Sequence, residues 1–454
     1  MENLDSRLGG TAVPIPGAAN QLPKRGADAL LCFWRAPTIG DKRLSRCSGA
    51  GLMVADESSK SGCCQSKMRT VTYILPDLAP ATGGPVTATT AMAKAQAALG
   101  LNISIIATDW GLDAVVPYVE GVDVRLFPSR YRKWRWAPAL RNYSRKHLLN
   151  SDIVVIAGLW QYPTWITAKI CREIGKPYIV SPHGMLDSWP MQQKSWKKNM
   201  YLRFFEKQTL EGAAAVHAMA KGEGTQAIKW NRSVFVVPGG ISKNVCGRQL
   251  DRSAFYARYP SLRGRKYVLF LGRLHQIKQP EVAISAFHKA FKSDSAMMLV
   301  MAGPCELRYR RYLQDLVDKL GISTRTLFTG LISQDAAMEA YRSASAFVLP
   351  SLHENFGFAV VEAMAQECPV IVSDRVDLAS SIASAAAGLV VPPDVDSFAQ
   401  ALAVVLQNPC AGSQMGQNGR KLVLTHFCLD NVAKEFTSVC DDILAGKRTS
   451  RAWL

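Results

Sequence analysis

From about Met68 onward, short apolar runs alternate with longer stretches in which apolar positions recur at helical spacing. The runs Val71–Leu75, Ile103–Ala107, Val122–Leu126, Ile153–Ala157, Tyr178–Val180, Ala214–His217 and Val234–Val237 read as strands. Helical spacing falls on Val86–Leu99, Pro138–Leu149, Thr164–Ile174 and Lys194–Leu210. Strands that are apolar throughout, separated by helices, imply parallel sheets covered on both faces. Pro238-Gly239-Gly240 interrupts the pattern, and a second series then begins. Tyr267–Leu271, Met297–Met301, Thr326–Phe328, Ala346–Leu349 and Val370–Val372 are its strands. A helix from Pro280 to Phe291 carries proline in its first turn, where the missing N–H costs nothing. A helical region at Asp430–Leu444 closes the chain.

This pattern predicts an α/β protein of two doubly wound parallel-sheet units, residues 68–238 and 239–430. Residues 431–454 form a C-terminal helix and tail, and the helix is expected to pack back on the first unit. Residues 1–67 are rich in Gly, Ala, Pro and Ser and lack sustained periodicity. They are expected to be a disordered or non-native extension, since no n-region, apolar core and cleavage site follow one another there. Two such units place a cleft at the carboxyl ends of both sheets, where ligands of open α/β folds bind.

Length agrees with this organisation: 454 residues are too many for one ordinary core. With 48% hydrophobic residues the chain can bury two cores, and no run of about 18 apolar residues suggests a membrane span. The net charge of +18 is unevenly placed. Arg125, Arg130, Arg132, Lys133, Arg135, Arg141, Arg145 and Lys146 fall in one stretch without an acid, interleaved with Tyr131, Trp134, Trp136 and Tyr143. Lys194, Lys197, Lys198, Arg203 and Lys207 form a second stretch, near Trp189, Trp196 and Tyr201. Such segments suit either a solvated basic face with aromatics packed inward or contact with an anionic membrane surface. Nucleic acid fits least and is not expected as a partner. The eleven cysteines are scattered, with one vicinal pair, Cys63-Cys64, and no zinc spacing. They read as reduced thiols of a cytoplasmic protein.

Chemistry concentrates in the loops after predicted strands. His353-Glu354-Asn355-Phe356-Gly357-Phe358-Ala359-Val360-Val361-Glu362-Ala363-Met364 follows the strand Ala346–Leu349. Glu354 lies just before a helix expected to begin near Phe356 or Gly357, and Glu362 lies inside it. Amides of Asn355, Phe356 and Gly357 at that terminus suit anions or hydroxyl oxygens. Gly272-Arg273-Leu274-His275-Gln276-Ile277-Lys278 follows the first strand of the second unit. A guanidinium fork and a mobile ammonium both match phosphate oxygens. Thr82-Gly83-Gly84-Pro85 and Ser181-Pro182-His183-Gly184 follow strands of the first unit, while Gly303 and Gly330-Leu331 follow strands of the second. Taken alone, paired acids can be helix-start residues, an Arg and a Lys can be solvated, and a histidine can be structural.

Together these segments resemble the retaining GT-B glycosyltransferases of family 4. The E-x7-E motif Glu354–Glu362, with its Phe-Gly and Glu-Ala-Met continuation, carries the resemblance, and the G-R-x-x-x-x-K segment supports it. The resemblance implies two Rossmann-like domains facing a cleft, with similarity over roughly residues 70–445. It assigns Glu354 to the donor sugar, Glu362 to the ribose, and Arg273 and Lys278 to the diphosphate. It also assigns His183 to the donor sugar and Leu331 to the nucleotide base. Asn355, Phe356 and Gly357 then offer amides to sugar hydroxyls, while Gly83, Gly84 and Gly303 complete the donor pocket. Asp187 and Ser188 are weaker candidates for the acceptor side. Pro238-Gly239-Gly240-Ile241 departs from the family's P-N-G-V/I hinge by carrying glycine where asparagine is usual.

The implied donor is a UDP- or GDP-linked hexose, and no metal or other cofactor is expected. The implied role is hexose transfer in exopolysaccharide, capsule or lipopolysaccharide assembly, onto a lipid-linked glycan at the inner membrane surface. The chain would then be cytoplasmic or peripheral on that membrane. A soluble sugar phosphate or glucan acceptor, or a non-catalytic sugar-nucleotide-binding scaffold, are the alternatives.

Overall fold

The apolar runs become the strands of two all-parallel sheets in a computed structural model. It describes residues 69–447, apart from 113–115, 132, 187–204, 244, 246–251 and 293. The first sheet holds β1 (Thr70–Asp77), β2 (Asn102–Thr108), β3 (Val122–Phe127), β4 (Ile153–Ala157), β5 (Tyr178–Ser181), β6 (Ala215–Ala218) and β7 (Val234–Val236). Their spatial order is β3-β2-β1-β4-β5-β6-β7. The second sheet holds β8 (Tyr267–Leu271), β9 (Met298–Ala302), β10 (Thr326–Gly330), β11 (Ala346–Leu349), β12 (Val370–Ser373) and β13 (Gly388–Val391), in the order β10-β9-β8-β11-β12-β13. Each order reverses once, between β1 and β4 and between β8 and β11. Those reversals are the crevices where such sheets bind ligands.

Burial explains why these segments are strands. All five residues of β4 and all five of β9 are buried, as expected of strands covered on both faces. In the first lobe one apolar cluster lies on each side of the sheet. The helix Gly84–Ala98 covers one side, and Pro138–His147 and Tyr162–Glu173 the other. The second lobe has a single larger cluster. The last helix, Leu429–Leu444, follows the second lobe in sequence but buries Val432, Phe436 and Val439 in the first lobe's core. Gln96 of the first lobe also donates to Thr437 Oγ1 at 2.9 Å.

Two strands of chain therefore cross between the lobes, and they run side by side. Ile241 N–H donates to Phe427 O and Leu429 N–H to Ile241 O, each at 2.9 Å. Glycine is required on one side of this seam. A Cβ on Gly239 would lie 2.7 Å from the rings of Phe356 and Phe358, and one on Gly240 would lie 2.8 Å from Leu429 Cα. The glycine found where the resembled family has asparagine thus has a steric cause: two phenylalanine rings occupy that space.

Several elements depart from the sequence-based expectation, among them the helices Arg252–Arg258, Val395–Gln407 and Pro409–His426, which were not anticipated. β13 was not anticipated; its four residues are only half-buried at the sheet edge. A short helix, Lys221–Ala227, was also missed, because two glycines in seven residues obscure any helical period. The helix motif near Glu354 begins at Phe358, with Gly357 as its cap at φ 80°. The extension 1–67, Cys63-Cys64, Arg132, Asp187, Ser188 and the second basic stretch with its aromatics up to Arg203 lie outside the described residues. Each described cysteine is free, and no helix among the described residues is long and apolar enough to cross a membrane.

Candidate active site

The loop after β8 and the loop after β11 are joined at the second reversal point. His275 Nδ1 accepts from Ile277 N–H at 3.3 Å and caps the turn Gln276–Lys278. Leu352 N–H donates to Ile277 O at 2.8 Å, linking that turn to the loop carrying Glu354. Lys278 Nζ and the Glu354 carboxylate then meet as an ion pair, with 19% and 17% of their side chains exposed. Burial, and next the nearby Arg273 cation, push the Lys278 ammonium down to about 7. The Glu354 carboxylate in contact with it pulls the other way. Arg273 itself is exposed and lines an open cavity of about 330 Å³ with His275, Cys305 and Glu306.

Glu354 is held at its backbone as well. It forms a parallel bridge with Val376, and its carbonyl accepts from Asp377 N–H at 3.1 Å. Gly357 follows in the left-handed region and opens the helix Phe358–Ala365, whose free amides point toward the same loop. Glu362 lies within that helix. Tyr341 donates to its Oε2 at 3.3 Å, and burial raises the carboxyl to about 7.

The first lobe contributes two loops at the carboxyl ends of its strands. Gly83 has φ 78° and caps the helix Gly84–Ala98, and space is open beside both glycines. His183 and Gly184 both have positive φ, 54° and 78°. For histidine that conformation is strained, and it follows the last residues of β5. His183 Nε2 lies 3.4 Å from Thr89 Oγ1, whereas its buried Nδ1 has no hydrogen-bond partner among the described residues. Burial, and next His217, hold its imidazole down at about 3, so the ring is neutral. His217 is neutral too, at about 4, because of burial. Its Nδ1 pairs with Ser181 Oγ at 2.9 Å and its Nε2 with Val237 O at 2.8 Å. A carbonyl can only accept, so the proton sits on Nε2 and Ser181 donates to Nδ1.

Several residues not anticipated from sequence organise this site. Buried Asp77, at the end of β1, accepts from Ala79 N–H at 3.1 Å and Thr82 Oγ1 at 2.6 Å, and pairs with Arg135 at 3.0 Å. Arg135 also lies over the Trp110 ring at 4.7 Å. The glycine loop and the basic stretch are thereby fixed to one carboxylate at the cleft. An acid at a strand's carboxyl end was a visible signal. Glu223 was not visible: buried in the short helix Lys221–Ala227, it accepts from Met219 N–H at 2.9 Å, from Gly184 N–H, and from Asn355 Nδ2 at 3.2 Å.

The structure brings Arg273, Lys278 and Glu354 together and places His183 at the facing lobe, and it also positions the remaining candidates. Asn355 turns its side chain to Glu223. The Phe356 ring is buried between lobes, 4.9 Å from Phe358 and 5.6 Å from Phe427, which leaves only its backbone for a ligand. Gly303 is explained by a chain crossing: a Cβ there would sit 1.9 Å from Gly272 O. Leu331 is 79% exposed beside the second sheet. In the basic stretch, Trp134 packs 6.1 Å from both Tyr162 and Trp165, and Trp136 and Tyr143 also pack on the core. Only Tyr131, at 72% exposure, presents its ring to solvent. Arg125 and Arg145 are paired with Asp123 and Glu173. The inward-packed reading of those aromatics therefore holds for most of them.

Two parallel-sheet lobes with paired crossovers and loops converging from both sets of carboxyl ends define the GT-B architecture. Residues 252–422 match the family model for glycosyl transferases group 1, and residues 83–240 match that for a glycosyl transferase 4-like domain. An uncharacterised glycosyltransferase of Methanocaldococcus jannaschii is 35% identical over 175 residues, covering 38% of this chain and 44% of that protein. The match thus spans less than half of that relative's length. Sucrose-phosphate synthase from Thermosynechococcus elongatus superimposes with a TM-score of 0.66 at 19% identity, covering 84% of this chain and 100% of that one. Anabaena HepE in complex with UDP-glucose does so with a TM-score of 0.66 at 15% identity, covering 82% and 99%.

Proposed function

We propose that this chain is a retaining glycosyltransferase that moves a hexose from a nucleotide diphosphate-sugar to an acceptor hydroxyl. The observation that carries the reading is the cluster of Arg273, Lys278 and Glu354 at the reversal of the second sheet, beside a helix N-terminus. A diphosphate leaving group needs cations where its charge develops, and Arg273, Lys278 and the helix amides supply them without a metal. Glu354 and the neutral His183 flank the sugar, and the unpartnered Nδ1 of His183 suits a sugar hydroxyl. Glu362 takes the ribose hydroxyls. The bond between the anomeric carbon and the diphosphate oxygen breaks as the acceptor oxygen bonds to the same face. The departing phosphate receives the acceptor's proton. The protein's share is positioning and charge stabilisation.

UDP is the favoured nucleotide, since the solved complex of HepE holds UDP-glucose. The acceptor we favour is a lipid-linked glycan in surface polysaccharide assembly, at the cytoplasmic face of the membrane. Exposed Arg130, Lys133, Arg141 and Lys146, together with Tyr131, lie on the stretch that Arg135 anchors at the cleft. A second reading, a soluble sugar phosphate or glucan as acceptor, is favoured by the inward packing of Trp134 and Trp136. Binding and hydrolysis of UDP-glucose and GDP-mannose, followed by proton NMR of the product's anomeric configuration, test the central claim. Failure to bind any nucleotide-sugar, or inversion at the anomeric carbon, defeats it. Activity should survive EDTA. Flotation with anionic vesicles, lost at high salt, separates the two acceptors.

A further inference from the structure

We infer that Glu223 is a positioning residue that couples the His183 loop of one lobe to the Glu354 loop of the other. Its carboxylate is buried on the first lobe and has one partner on each element that must move together. One oxygen accepts from Gly184 N–H, the residue after His183. The other accepts from Met219 N–H at the end of β6 and from the side chain of Asn355, the residue after Glu354. A carboxylate is suited to this because it is acceptor-only, with lone pairs for several donors, whereas an amide must present N–H groups on one side. The bonds are charge-assisted and buried, which makes each of them directional and costly to leave unmade.

The packing around Glu223 agrees with a fixed contact between lobes. The preceding residue, Gly222, lies tightly against the second lobe: a Cβ there would be 2.6 Å from the Asp377 carboxylate. Asp377 N–H in turn holds the Glu354 carbonyl. The start of one short helix therefore touches both sides of the Glu354 loop, through Gly222–Asp377 and through Glu223–Asn355. The residue whose amide Glu223 holds, Gly184, directly follows His183 with its positive φ of 54°. A donor seated on the second lobe would thus organise His183 on the first through this carboxylate. The catalytic part of this inference rests on the proposed transferase reading; the mechanical part does not.

Hydrogen exchange of the full chain, with and without UDP, tests both parts. In the parent protein, UDP should slow exchange in residues 353–357 and also in 183–186. In Glu223→Gln, protection should persist at 353–357 and disappear at 183–186. The kcat with a donor should fall about 10- to 100-fold, and the UDP Kd should change by less than about threefold. Asn355→Ala removes the inter-lobe bond from the other side and should decouple the segments in the same way, which covers the case of a poorly folded Glu223 variant. Transmission of protection to 183–186 in either folded variant overturns the coupling. If UDP protects nothing in the parent, the nucleotide-site reading fails. The coupling is then judged without ligand: Glu223→Gln must speed exchange in both segments, and an unchanged 353–357 segment rejects it.

Discussion

Lys278 illustrates how one side chain can be read for type from sequence and for state only from structure. The G-R-x-x-x-x-K spacing indicated a phosphate-binding cation, but not that the cation would be buried against Glu354 and pushed down to about 7. The consequence is a testable pH dependence. Above pH about 7 the free ammonium tends to lose its proton, and a bound diphosphate favours the charged form, so UDP binding must take up a proton. Affinity should then weaken by up to about tenfold per pH unit above 7, measurable by calorimetry in buffers of different ionisation enthalpy. Lys278→Ala should lower kcat/KM by at least about 100-fold and abolish the proton uptake. Near-normal turnover in that variant would remove the lysine from the diphosphate. Gly239 makes the complementary point. Its departure from the resembled hinge pattern was legible, whereas its cause, the rings of Phe356 and Phe358, depends on residues more than a hundred positions away. Gly239→Asn should therefore destabilise the chain by roughly 1–3 kcal/mol in urea unfolding, as overpacking does.

At the scale of elements, legibility tracked burial. Strands β4, β8 and β11 were placed at their observed limits because their apolar runs begin after a polar residue and end at glycine or proline. β13 is half-buried and lacks such a run, and the helix Lys221–Ala227 is too short and glycine-rich to show a period, so neither was visible. The site divides the same way: loops after strong strands revealed Lys278, Glu354 and His183, while Glu223 lay hidden in the missed helix. The final helix, Leu429–Leu444, carries a clear apolar face and was expected to pack back on the first unit; the structure buries its Val432, Phe436 and Val439 there. Phe436 lies T-shaped to His217 at 5.0 Å and packs 5.8 Å from Phe235. Phe436→Ala should cost about 3–5 kcal/mol. Because its neighbours belong to the first lobe, hydrogen exchange should accelerate in β1, β2 and β6 well before β8 and β11. Uniform acceleration of both lobes would mean that the helix stabilises the seam rather than one core.

The whole molecule carries buried titratable groups of opposite sense, and their windows overlap. His183 and His217 are depressed to about 3 and about 4 from 6.5, so the stability they contribute is complete above pH 6.5 and is lost as pH falls through those values. Glu206 and Glu362 are raised to about 7 from 4.5 by burial, so the stability of their protonated forms is complete below pH 4.5 and is lost as pH rises through 7. Each group in its window changes stability by about 1.4 kcal/mol per pH unit. Between pH 4.5 and 6.5 the two histidines gain with rising pH what the two glutamic acids lose, and the four contributions cancel. Below 4.5 only the histidine terms remain, and they fall by about 2.8 kcal/mol per unit until the first histidine titrates. Replacing both acids, Glu206→Gln with Glu362→Gln, should unbalance this arrangement. Relative to the parent, the variant's unfolding free energy should climb with pH across 4.5–6.5 and level off near 7, in chemical denaturation at half-unit intervals. A difference profile that stays flat over that window would show that the buried carboxyls are ionised in the folded chain and do not offset the histidines.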